Sequence, residues 1–171
     1  MVFQPDSSLI SFPRFNSLKD NLIINQFGEG IKFIGGFALE GKTVIGFGST
    51  ENPAKITLVN NKARTAFVGA SEKFILKRAD QLSSQKVKST LFLGADSIVH
   101  PELMFNYNTK TRTLLLRRGE KGKGRNLFYS SAHKFSIQAE ELVMQIDNDS
   151  VMIGREALPV LKKPFVRFES L

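Results

Sequence analysis

Residues Ser89 to Arg118 read STLFLGADSIVHPELMFNYNTKTRTLLLRR, and this stretch decides the fold. Leu91 and Leu93 alternate with Thr90 and Phe92. Leu103, Phe105 and Tyr107 alternate with Met104 and Asn106, and Leu114 and Leu116 with Thr113 and Leu115. Alternation with a period of two sends successive side chains to opposite faces, as in half-buried strands. Gly94-Ala95-Asp96, His100-Pro101-Glu102 and Asn108-Thr109-Lys110 have the composition of turns. The stretch therefore predicts strand, turn, strand, turn, strand, and it holds no catalytic grouping.

The same style extends outward. Ile31 to Leu39 alternates with Ile31, Phe33, Phe37 and Leu39 on one face, and Gly35-Gly36 inside it marks a bulge or a close backbone approach. Further strands are predicted over 43–47, 55–59, 64–69, 73–77, 87–93, 126–129, 134–139, 142–146 and 150–153. Residues 136–146 fit a helix about as well as a strand with a phase slip; strand is the reading adopted. Glu156-Ala157-Leu158 is expected to form one helical turn. The fold class is all-β, an elongated domain of stacked or solenoid-like strands, with a jelly roll or flattened barrel as the alternative. Residues 1–29 are read as a lead-in segment of unclear period, 30–154 as the β domain, and 155–171 as a C-terminal extension.

Composition fits this picture. The 171 residues are 42% hydrophobic, enough for a substantial core. Aromaticity rests on 15 Phe, with 2 Tyr and no Trp, so the rings are expected inside, where Phe has no polar tip to satisfy. Without Cys there are no disulfides, thiolate metal sites or cysteine nucleophiles. No apolar run has the length of a membrane-spanning helix, and the first residues lack the pattern of a signal peptide.

The net charge of +8 is concentrated. Between Lys110 and Arg125 stand seven basic residues against Glu120 alone, a net +6. Their centre, Arg117-Arg118-Gly119-Glu120-Lys121-Gly122-Lys123-Gly124-Arg125, reads as a Gly-rich solvated hairpin tip. If the chain binds a polyanion, Arg117, Arg118, Lys121, Lys123 and Arg125 are the expected contacts, with Phe128 and Tyr129 beside them for stacking. Anionic lipid is favoured over nucleic acid, since no nucleic-acid motif is present. A solvated face without a ligand is the leading expectation.

Other chemistry has weaker support. His100 and His133 lack a second ligand at metal spacing. His133 follows Ser130-Ser131 without the elbow that presents a nucleophilic serine, so a turn histidine is expected. Asp147-Asn148-Asp149-Ser150 begins like a calcium loop but lacks its glycine and final glutamate, and a turn explains it. Gly46-Phe47-Gly48 lacks the third glycine of a dinucleotide loop. No cofactor and no metal are expected, and the chain is read as non-catalytic.

The ends of the chain carry an echo. Phe12-Pro13-Arg14-Phe15-Asn16-Ser17-Leu18 matches Phe165-Val166-Arg167-Phe168-Glu169-Ser170-Leu171 at five of seven positions, 153 residues apart. A tandem unit of that length and chance are both open readings. The order of Phe12-Pro13-Arg14-Phe15, Gly35-Gly36-Phe37, Gly46-Phe47-Gly48, Asp96-Ser97-Ile98-Val99-His100-Pro101, Phe105-Asn106-Tyr107 and Phe128-Tyr129-Ser130-Ser131-Ala132-His133-Lys134 resembles part of a family of very long, uncharacterised β-rich proteins of Bacteroidetes-type bacteria. The strand rhythm also resembles lipopolysaccharide-bridge proteins. The resemblance implies a structural or interaction module of a larger envelope-associated protein, partnered by other segments of the same chain or by envelope proteins. Its alternatives are a lipid- or glycolipid-binding β groove and a nucleic-acid-binding β domain.

Overall fold

The computed structural model describes residues 14–78, 80–119, 125–148, 150–154 and 167–170. These are all-β, without a helix, and they form one sheet that is antiparallel at every pairing. The expected turn at Glu156–Leu158 lies outside the described residues.

The strands follow one another across the sheet as a meander. β1 (Arg14–Asn16) and β2 (Leu22–Gly28) run along one edge of β3 (Ile31–Glu40), so residues read as a lead-in segment are part of the sheet. β4 (Thr43–Phe47) and β5 (Ala54–Val59) run in the same direction along its other edge. β6 (Thr65–Ser71) and β7 (Lys73–Lys77) pair with β5 and β4 in turn, then both with β8 (Gln81–Leu93). β9 (Asp96–Asn108) returns along β8. β10 (Thr113–Arg117) and β11 (Phe128–Ser130) lie on β9, followed by β12 (Phe135–Gln138) on β11 and β13 (Glu141–Gln145) on β10. β14 (Val151–Gly154) pairs with β13 and β15 (Arg167–Ser170) with β12.

Most of these passes are interrupted near mid-length. The buried positions are three apart instead of two at Ser71/Phe74, Ser84/Val87 and His100/Leu103, while Gly35 and Gly36, and likewise Glu141 and Leu142, are buried in succession. One extra residue per strand keeps the apolar side chains on the core face while bending the strand, which is what a bulge does. The slips fall close together on paired strands: Gln85-Lys86 of β8 is accommodated opposite Met104, and Pro101-Glu102 of β9 opposite Lys88. The sheet therefore bends along one line. His100-Pro101-Glu102 is consequently a corner within β9, not the turn between strands that its composition suggests. A bulge also accommodates Pro101, which has no N–H to give a ladder.

The bend folds the sheet onto itself. Phe67 on β6 is across the ladder from Leu91, which is across from Ile98 on β9. In a flat sheet Phe105 would lie about 23 Å further along β9, at roughly 3.3 Å per residue. Instead the Phe67 and Phe105 rings stack at 5.3 Å, and Phe74 meets Phe105 edge-on at 5.9 Å. The core runs continuously from Ile31 to Ile146, and Phe33, Phe67, Phe74, Phe105 and Phe128 are fully buried within it. The expected interior role of phenylalanine holds for these five.

One polar knot closes the fold. Arg112, in the turn after β9, donates from Nε to Asp147 Oδ2 at 2.6 Å and from Nη2 to Oδ1 at 2.9 Å. It also donates to the carbonyls of Val59 (2.8 Å) and Glu29 (3.3 Å). The Asn61 N–H completes the carboxylate at 2.8 Å. Turns from opposite ends of the sheet are thereby tied together.

Candidate functional site

The basic segment is the first candidate, and the fold divides it. Lys110 pairs with Asp80 at 3.3 Å on the surface, and Arg112 is committed to the knot. Arg117 ends β10 and grips Glu141 of β13 through Nε (3.0 Å) and Nη2 (2.9 Å). Arg118 is 7% exposed; its Nε donates to the Ala139 carbonyl and its Nη1 to the Asn126 carbonyl at 3.0 Å. Burial pulls its pKa below the ordinary guanidinium value, against the opposing field of Glu140. Arg117 and Arg118 therefore hold the base of the loop and do not sit on a solvated tip. The sequence hid this because their partners Ala139 and Glu141 are 21 and 24 residues away, and Asn126 lies across the loop, 8 residues on. Arg125 is exposed, whereas Lys121 and Lys123 lie outside the described residues. Phe128 is buried at 1% exposure, which removes it as a stacking surface, and Tyr129 is half-buried.

His100 completes the same node. Its Nε2–H donates to the Asn126 carbonyl (3.1 Å), and its Nδ1 accepts the Glu102 N–H (3.0 Å). The two bonds define one neutral tautomer. Burial lowers the pKa of the ring, and the nearby Arg118 charge adds to the effect. The imidazole is 5.0 Å from the Phe128 ring. This is the chemistry of a corner brace, binding β9 to the strand that leaves the basic loop.

The second candidate gathers Asp96, Ser130, Ser131 and His133. Asp96 Oδ1 accepts the N–H groups of Ser97 (2.7 Å) and Ala132 (2.9 Å), and Oδ2 accepts the Ser130 hydroxyl (2.9 Å). His133 Nδ1 stands 3.2 Å from Oδ2 and 3.3 Å from Ser130 Oγ. Partial burial pushes the Asp96 carboxyl up, but the donors from Ala132, Ser130, Ser97 and His133 outweigh it and bring it down to about 2. A nucleophile relay places serine and carboxylate on opposite nitrogens of the imidazole. Here both face Nδ1, the Ser130 hydroxyl is spent on Asp96, and Ser130 is 1% exposed. The cluster locks the β11–β12 turn onto the start of β9. Its hub was not visible in the sequence, where Asp96 reads only as a turn residue.

Among the described residues two open clefts stand out, one at the bend and one toward the β9–β10 turn. One, of about 630 Å³, is lined by Thr50, Glu72, Lys73, Ser84, Lys86 and Glu102 among others. The other, of about 570 Å³, lies beside Gln81, Asn106, Tyr107 and Thr111. Polar residues outnumber apolar ones in both linings, although apolar atoms make up the larger part of the lining surface, and no phenylalanine lines either cleft. The large exposed hydrophobic residues lie mostly elsewhere: Phe15, Leu18, Ile23 and Ile34 cluster around β1–β3, at one edge of the sheet. Among the described residues no group of His, Asp and Glu has the geometry to hold a metal ion, and Asp147 of the calcium-like run is engaged by Arg112. Comparison with protein-family models, with curated proteins and with solved structures found no match to this chain.

Proposed function

We propose that the chain is a non-catalytic structural or interaction module, one unit of a larger envelope-associated protein. The observation that carries the reading is where the polar chemistry goes. Arg112, Arg117, Arg118, His100 and Asp96 are all engaged in holding one part of the sheet to another. Phe33, Phe67, Phe74 and Phe105 fill the core instead of lining a groove, and Phe128, needed for base stacking, is buried with them. What remains available is sheet edge, the part of a β structure that recruits another strand. Its partners are other segments of the same long chain or envelope proteins. Arg125, with Lys121 and Lys123, remains the proposed contact for an anionic lipid.

The test is native mass spectrometry of freshly purified protein, together with fractionation of the source cells. The reading expects the bare polypeptide mass and recovery with the cell envelope. A stoichiometric lipid would favour the groove instead, and stoichiometric nucleic acid the nucleic-acid-binding alternative.

A further inference from the structure

β1 and β15 carry the echoed sequence, and the fold puts them on opposite edges of one sheet. β15 pairs with β12 in the register Arg167↔Gln138, Phe168↔Ile137, Glu169↔Ser136, Ser170↔Phe135. Shifted by the 153-residue offset of the echo, these positions are Arg14, Phe15, Asn16 and Ser17, identical except for Glu169 and Asn16. β1 pairs with β3 through Arg14↔Glu40, Phe15↔Leu39 and Asn16↔Ala38, and among the described residues nothing pairs with its other edge. Phe15 on β1 is 56% exposed, and Ile23 on the neighbouring β2 is 70% exposed.

From this we infer that units of this fold join end to end through a continuous sheet, the free edge of β1 taking the Phe135–Gln138 strand of a second copy. The chain already displays one half of the joint: β12 receives a strand of the same sequence pattern. β3 displays the other half by receiving β1. Superposing the two halves gives the order β12, β1, β3 across the junction, antiparallel throughout. Phe15 then stands directly across from Ile137, the residue that Phe168 faces within the chain. A directly opposed aromatic–β-branched pair is a favourable cross-strand contact. The contact is heterologous, using different surfaces on the two copies, so it propagates instead of closing a dimer. A tandem array satisfies it covalently; separate chains satisfy it by exchange, with β1 of one copy replacing β15 of another. The inference deepens the reading of the chain as an interaction module by naming its partner.

The absence of cysteine permits a clean test. One copy carries Ser136→Cys with Phe168→Pro, because proline cannot donate to the ladder and releases β15 from the β12 edge. The other carries Asn16→Cys. Mild oxidation of the mixture should give a covalent dimer, which should be lost with Arg14→Cys, two residues out of register, and when β15 is left intact. A single chain bearing Ser136→Cys and Glu169→Cys should close an internal disulfide and thereby check the template joint. If Phe168→Pro fails to fold, Asn16→Cys is mixed with a Ser136→Cys chain carrying Arg167→Pro. No dimer above the Arg14→Cys control, or no internal disulfide, overturns the inference. Either failure leaves the non-catalytic reading intact, and a bound lipid in mass spectrometry would overturn that reading without touching this register.

Discussion

The Arg112–Asp147 knot offers the sharpest test of how the sheet is held closed. The two side chains are 15% and 22% exposed, so the pair is largely removed from water. Replacing Arg112 by Met keeps the aliphatic stem and deletes the fork. Asp147 is then left with the Asn61 N–H, and the Val59 and Glu29 carbonyls lose a donor. Breaking a fully buried pair from one side costs roughly 3–5 kcal/mol, and partial exposure places Arg112→Met at about 3 kcal/mol. Asp147→Ala spares the two carbonyl bonds and should cost about 2 kcal/mol. The double variant should lose little more than Arg112→Met alone, a coupling of about 2 kcal/mol. Equilibrium urea unfolding measures this as a drop in midpoint of about 1.5 M for Arg112→Met at a slope of about 2 kcal/mol/M. The Arg112 hydrogen bond lowers the Asp147 pKa, so its contribution is present above the ordinary carboxylate range and fades as pH falls through it. Arg112→Met should therefore also flatten the acid limb of stability. A coupling below about 0.5 kcal/mol would refute the claim that this pair ties the ends of the sheet.

Acid should act in two steps. The depressed His100 pKa means that the unfolded chain takes that proton first, so stability begins to fall as pH drops below the ordinary 6.5. His100→Asn, which keeps an acceptor for the Glu102 N–H, should remove this step from urea midpoints taken between pH 8 and 5. Asp96, at about 2 against an ordinary 3.8, contributes at most about 2 kcal/mol that is present above 3.8 and lost as pH approaches 2; Asp96→Asn should abolish that step. Gly46→Ala would place a Cβ 2.5 Å from the ring of fully buried Phe33 and should cost about 2 kcal/mol in chemical denaturation. Gly94→Ala meets nothing within 4 Å and should cost about 1 kcal/mol, from its φ of 61° alone. Changing Lys121, Lys123 and Arg125 together to Ser should weaken heparin or anionic-vesicle binding and leave the urea midpoint in place, whereas Arg118→Ala should lower that midpoint, because Arg118 is buried among carbonyls.

The sequence by itself determined the all-β class and the position of most strands, because alternation is a local property written into each run. It also carried the bend: the double glycine at 35–36 and the phase slip in 136–146 are both legible, and the slip resolves into β12 and β13 instead of a helix. At His100-Pro101-Glu102 the reading failed for a physical reason. Turns and bulges use the same polar residues and proline, and only the pairing with β8 on both sides of the corner, Ser89↔His100 and Val87↔Leu103, shows that β9 continues through it. Charge could be counted along the chain, but its availability could not. The carbonyl of Ala139 and the carboxylate of Glu141, distant in sequence, and the carbonyl of Asn126 across the loop take Arg117 and Arg118 into the fold. The hubs at Asp96 and Arg112 likewise exist only where separate turns meet. Periodicity records which face of a strand is buried; which polar groups are used in burying it is decided by long-range contact, and only the tertiary structure contains that.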